Sequence, residues 1–118
     1  MDSRQELGRY GEDVAAHLLA AKGFEVLARN WRCARGELDL VARRGDTLAA
    51  VEVKTRRTLE FGSPVEAVTE RKARRLRYLV ATWLQEWPQS VPLVRVDVVA
   101  VYAPRGGRTQ VRHLEGVA

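Results

Sequence analysis

On either side of Arg44-Gly45-Asp46-Thr47 the chain alternates polar and apolar residues with a period of two. Upstream, Glu37, Asp39 and Val41 alternate with Leu38, Leu40 and Ala42; downstream, Ala50, Glu52 and Lys54 alternate with Val51, Val53 and Thr55. A period of two is the signature of strands, and a two-residue Gly45-Asp46 loop would join them as a β-hairpin. That loop sets the register: Asp39 falls opposite Glu52, and Glu37 opposite Lys54. Two carboxylates placed face to face repel unless something positive sits between them. A divalent cation with oxygen ligands is the usual solution.

Lys54 strengthens this reading. The chain holds three lysines against seventeen arginines, and an arginine would serve as well for a solvated charge. A lysine is a compact point charge whose pKa moves when it is buried, which suits work beside a reacting phosphate. The plainer alternative is a hairpin with one solvated polar face and a Glu37–Lys54 cross-strand pair.

The flanking sequence supplies further elements. Ser3-Arg4-Gln5-Glu6 is a capping box that opens a helix ending at Gly23, with Leu7, Gly11, Val14, Ala15 and Leu18 as its apolar stripe. Glu12 lies at the edge of that stripe, among small residues that would let the helix approach a sheet closely. Phe24 to Ala28 alternates as a first strand, and Arg29 to Gly36 reads as a basic loop. In that loop Arg29, Arg32 and Arg35 surround Trp31, which either stacks a base while the arginines hold phosphates or caps the core while they face water.

After the hairpin, Ser63-Pro64-Val65-Glu66 and then Thr69 offer helix starts, and Leu76, Val80, Trp83, Leu84 and Trp87 recur at helical spacing as a core face. Arg71, Lys72, Arg74, Arg75 and Arg77 crowd the first two turns of this second helix, either as a DNA-backbone surface or as a solvated charged face. Lys72 lies closer to the apolar side than Arg74, within reach of the hairpin's acids. Leu93 to Tyr102 is apolar apart from Arg95 and Asp97, as expected of a strand buried on both faces and parallel to the hairpin's second strand. Arg95 and Asp97 share a face and read as a structural pair. A turn at Pro104-Arg105-Gly106-Gly107-Arg108 leads to a last strand from Thr109 to Leu114.

The resulting order αβββαββ, an antiparallel meander followed by a right-handed crossover into a parallel strand, predicts one α/β domain over residues 1–118. A mixed central sheet of about five strands would be flanked by two main helices, with Asp39, Glu52 and Lys54 at one end of the central hairpin. Lysine plus arginine exceed aspartate plus glutamate by 20 to 15, giving a net charge of +5, which favours polyanionic partners. Cys33 stands alone, His17 and His113 read as isolated, and no phosphate-binding Gly-rich Lys-Ser/Thr loop occurs, so zinc-finger, metal-histidine and NTPase chemistries have no support. The first residues lack a signal-peptide apolar core and no apolar run approaches membrane-spanning length. The expected setting is the reducing cytoplasm, with no membrane partner.

Asp39 … Glu52-Val53-Lys54 resembles the PD-(D/E)xK nuclease signature, with Leu38 in place of its proline. The wider pattern, Gly8-x-x-Gly11-Glu12, Arg29-Asn30-x-Arg32, Gly36-Glu37-x-Asp39-Leu40, Val51-Glu52-Val53-Lys54-x-Arg56, Phe61-Gly62 and Lys72, resembles the YraN-like family of small bacterial proteins, and is similar to archaeal Holliday junction resolvases. The resemblance implies a restriction-endonuclease-like core and hydrolysis of DNA phosphodiester bonds, with branched DNA as the expected substrate. It also implies Mg²⁺ or Mn²⁺ held by Asp39, Glu52, the Val53 carbonyl and Glu12. Lys54 would complete the catalytic set, and Arg32, Arg35, Arg56, Lys72, Arg74 and Arg75 would contact DNA. A homodimer would suit a four-way junction, although no dimer stripe stands out. Two other classes remain: a non-cleaving nucleic-acid-binding protein on a nuclease fold, and a partner-recruitment domain whose basic helix docks an acidic protein.

Overall fold

The structure, a computed structural model, describes residues 3–58, 68–91 and 93–117. Helix α1 spans Arg4–Ala21, strands β1, β2 and β3 span Glu25–Cys33, Gly36–Arg44 and Thr47–Arg56, helix α2 spans Glu70–Leu84, and strands β4 and β5 span Leu93–Tyr102 and Gln110–Leu114. The sheet runs β1-β2-β3-β4-β5 in space as in sequence. All neighbours are antiparallel except β3 and β4, which are parallel and connected through α2. This is the predicted αβββαββ order, and it is consistent with a restriction-endonuclease-like core.

The two helices cover opposite faces of the sheet. Ala15 and Leu19 of α1 pack on Leu40, Ala42, Ala49, Val51, Val99 and Val101. Leu76, Leu79, Val80 and Trp83 of α2 pack on Leu38, Val41, Leu48, Ala50 and Val96. Strand β4 feeds both layers, which explains its nearly continuous apolar sequence.

Local signals place the helices. The Ser3 hydroxyl accepts the Glu6 N–H at the start of α1, and Gly23 adopts φ +89° just beyond its end. Gly11 decides how closely α1 can sit, because a Cβ there would lie 1.8 Å from Thr55 Oγ1 on β3. Thr69 caps α2, accepting the Lys72 N–H at 3.2 Å. The helix ends at Leu84, short of Trp87, whose ring stacks on Trp83 at 5.1 Å. The expected start at Ser63-Pro64-Val65-Glu66 and the Phe61-Gly62 motif lie outside the described residues.

The segment Arg29 to Cys33, expected as part of a basic loop, is instead the second half of β1, paired with β2 from Arg29↔Leu40 to Cys33↔Gly36. Two irregularities hid it. Leu27 is an extra residue at a bulge, and Asn30 has φ +51°, a conformation asparagine tolerates and one that breaks the side-chain alternation. As an edge strand β1 also carries charges freely. Trp31 packs partly buried against the α2 layer, which leaves core capping as its structural role.

Candidate functional site

The Gly45-Asp46 loop imposes the expected register, with Arg44 opposite Thr47 and Leu40 opposite Val51. There the β2–β3 ladder stops, one residue short of the facing acids. Leu40 packs with the α1 layer and Leu38 with the α2 layer, although residues two apart on a regular strand share a face. The strand therefore turns over at Asp39, opposite the turned Asn30 of β1. Asp39 Oδ2 takes over the ladder by accepting the Val53 N–H at 2.9 Å. Because the N–H and C=O of one strand residue point to the same neighbour, the Val53 carbonyl also faces this gap.

Departure of β2 changes the partners expected across the hairpin. Glu37 does not meet Lys54; it pairs with Arg32 across β1 and β2 at 2.7 Å. Lys54 turns to Glu52, and Lys72 reaches the same carboxylate from α2. Their Nζ atoms lie 3.2 and 2.8 Å from Glu52 Oε1. With an 11% exposed Glu52 side chain and each lysine side chain 23% exposed, this is a shielded three-member ion cluster. The two ammonium groups titrate apart. Burial pushes Lys54 down, aided by its lysine neighbour, whereas at Lys72 the effect of burial is outweighed by the hydrogen bond and charge of Glu52, which push it up.

On the other side of the gap, α1 contributes Glu12. Glu12, Asp39, Glu52 and Val53 line one open cavity of about 620 Å³, together with Arg4, Thr55, Arg56 and Arg57. Three carboxylates from three elements thus share one space. Asp39 feels them: burial, then the charge of Glu52, raise its carboxyl from an ordinary 3.8 to about 7, with smaller contributions from Glu12 and Glu37 against the Val53 N–H. The acids are not drawn into a group with every donor atom within 4.8 Å, as expected of like charges that repel. The donor set is nonetheless all oxygen, three carboxylates and a carbonyl facing one gap, which suits a hard divalent cation.

The expected DNA-contacting residues divide. Arg56 lines the cavity. Arg35, Arg74 and Arg75 line a separate opening with Tyr78. Arg32 is held by Glu37 and Lys72 by Glu52. Arg4 and Arg57, not singled out from sequence, join the cavity rim. Arg4 was detectable, since it precedes Gly8 and Glu12 on the same helical row at four-residue steps.

Asp97, His113 and Glu115 do place donor atoms within 4.8 Å of one another. Cations of the chain already serve them. Arg95 bonds Asp97 Oδ1 at 2.9 Å and Glu115 at 2.7 Å, and Arg44 bonds Glu115 at 2.9 Å. His113, which reads as isolated in sequence, is sandwiched between Asp97 at 2.8 Å and the Lys22 ammonium at 2.6 Å. The ammonium can only donate, so Nδ1 accepts and Nε2 carries its proton toward Asp97. This is an ion-pair network that ties the end of α1 and the β2–β3 turn to β4 and β5.

A model of the family described as "Uncharacterised protein family UPF0102" matches residues 11–101. The chain belongs to this family, the YraN-like one. A UPF0102 protein of Beutenbergia cavernae is 56% identical over 117 residues, covering 99% of each chain. A UPF0102 protein of Parafrankia sp. is 54% identical over 112 residues, 95% of each chain, and one of Nocardioides sp. is 47% identical over 114 residues, 97% of this chain and 92% of its own. The span matched by the UPF0102 model includes Glu12, Asp39, Glu52, Lys54 and Lys72, and excludes Arg4, His113 and Glu115. Among the described residues no helix is long and apolar enough to cross a membrane.

Proposed function

We propose that this UPF0102 protein is a metal-dependent endonuclease that hydrolyses phosphodiester bonds in DNA, with branched or otherwise structured DNA as substrate. The observation that carries the reading is the convergence of Glu12, Asp39, Glu52 and Val53 on one cavity beside two lysines. Phosphoryl transfer needs charge neutralisation and alignment more than covalent chemistry, and this arrangement suits that task.

Asp39, Glu52, the Val53 carbonyl and Glu12 would hold Mg²⁺ or Mn²⁺, which when bound supplies polarisation of the phosphate and a more acidic water. Asp39 must be ionised to serve, so its proton competes with the cation below about pH 7. Glu52 is held in place by Lys72 and Lys54, whose ammonium groups both contact Oε1. Lys54, the lysine whose proton is more loosely held, would orient the attacking water and stabilise negative charge developing on the phosphate. Arg4, Arg56 and Arg57 add positive charge at the rim, where the flanking phosphates would pass.

The test is cleavage of linear, flap and four-way DNA with Mg²⁺, Mn²⁺ or chelator, alongside Asp39→Asn and Lys54→Ala. The reading expects divalent-dependent cleavage by the wild type, lost in Asp39→Asn while DNA affinity is equal or slightly higher, because a negative charge near the phosphates is gone. Salt-dependent binding without cleavage in any divalent ion would instead select a non-cleaving DNA-binding protein.

A further inference from the structure

On the solvent side of α2, Arg74, Arg75 and Tyr78 converge with Arg35 from the β1–β2 turn around an opening of about 590 Å³, separate from the acidic cavity. Among the described residues no carboxylate lines it, and none of the three arginines pairs with an acid. Such crowding costs stability, because the guanidiniums repel one another. An anionic ligand removes that cost.

Tyr78 gives the anion an identity. It is an exposed aromatic residue, with 47% of its surface in water, and the Arg35 guanidinium lies over its ring at 5.0 Å. Core packing does not account for it, since the buried face of α2 is made by Leu76, Leu79, Val80 and Trp83. A flat ring among three cations matches a nucleotide: phosphates for the guanidiniums and a base for the ring. A base inside a duplex has its faces occupied by its neighbours, so the ring selects a nucleotide that is already unpaired. The place fits too. Lys72 of the same helix reaches Glu52, and Tyr78 follows it by six residues, about 9 Å along the axis at about 1.5 Å per residue.

We infer that Arg35, Arg74, Arg75 and Tyr78 form a subsite for an unpaired DNA strand, through which the protein recognises a single-stranded arm beside the acidic cavity. The inference rests on the proposed reading in taking DNA as the ligand, and it names which DNA: a substrate in which single strand meets duplex.

The test measures anisotropy of labelled splayed-arm and blunt duplexes in chelating buffer, with 2-aminopurine in the unpaired arm to report stacking. Tyr78→Ala should weaken binding to the splayed arm by about 5- to 150-fold, the loss expected for one stacked base. It should leave blunt-duplex affinity unchanged and abolish 2-aminopurine quenching. Tyr78→Phe should keep both, which separates stacking from a structural role. Arg74→Ala/Arg75→Ala should flatten the log–log salt dependence on the single strand by about 0.7 per lost contact. Equal loss on splayed and blunt DNA, no loss, absence of quenching, or failure of the wild type to bind splayed DNA would overturn the inference. Cleavage in Mg²⁺ or Mn²⁺ is scored separately. Tyr78-dependent binding without cleavage keeps the subsite and sinks the hydrolase reading, whereas cleavage indifferent to Tyr78 does the reverse.

Discussion

Asp39→Asn should stabilise the protein at pH 8 in the absence of divalent ions and leave it nearly unchanged at pH 4. Asparagine preserves the side chain's size and keeps an oxygen to accept the Val53 N–H, so what it removes is the negative charge. In the folded protein the Asp39 carboxyl is raised from 3.8 to about 7, first by burial and then by Glu52. With the folded value above the unfolded one, the folded state binds the proton more tightly. The contribution of Asp39 to stability is therefore greatest below about pH 4, falls between about 4 and 7, and stays low above. At 1.36 kcal/mol for each pH unit the gap corresponds to at most about 4 kcal/mol, and water entering the open cavity reduces it to about 1–3 kcal/mol. Urea melts of wild type and variant at pH 4 and pH 8 in chelator isolate this contribution, because every other titrating group is common to both. Adding Mg²⁺ or Mn²⁺ at pH 8 should raise the stability of the wild type more than that of the variant. A variant no more stable than wild type at pH 8, or an equal difference at both pH values, would refute the account of charge crowding.

Gly11→Ala should cost about 1–3 kcal/mol in urea unfolding, since its Cβ would run into Thr55, and should reduce divalent-ion affinity by pushing Glu12 away from the cavity. In ¹³C-methylated protein the Lys54 resonance should titrate at lower pH than that of Lys72, and Glu52→Gln should lower both, because Glu52 favours the charged form of each. Finding Lys54 above Lys72 would contradict the assignment of burial as its main influence. Asp97→Ala should destabilise by about 3–5 kcal/mol, measured by urea unfolding, because it leaves Arg95 and His113 without the buried carboxylate they share, yet it should spare divalent-ion binding at the acidic cavity.

Much of the architecture was legible because the determining signals are local. The period-two runs around Gly45-Asp46, the caps at Ser3 and Thr69 and the apolar run of β4 each act within a few residues. Where local patterning failed, a single residue was responsible. Asn30, with its positive φ, interrupts the alternation of β1 and made a strand look like a loop. The Arg95–Asp97 pair was readable from their shared face, but His113 looked isolated because its partners Lys22 and Asp97 are 91 and 16 residues away in the chain.

The acidic cavity shows the same division at the level of chemistry. Sequence by itself determined the hairpin, its register and hence that Asp39, Glu52 and Lys54 lie near one end of it, since alternation and turn length depend only on neighbouring residues. Tertiary structure decided the rest. It opened the ladder at Asp39, moved Glu37 to Arg32, brought Lys72 onto Glu52 from α2 and set Glu12 at the cavity from α1. Those outcomes depend on how closely two helices approach opposite faces of a twisted sheet. That distance is set by packing, at Gly11 against Thr55 on one side and Leu79 near Gly36 on the other, and pKa values follow it because burial and charge act through space rather than along the chain.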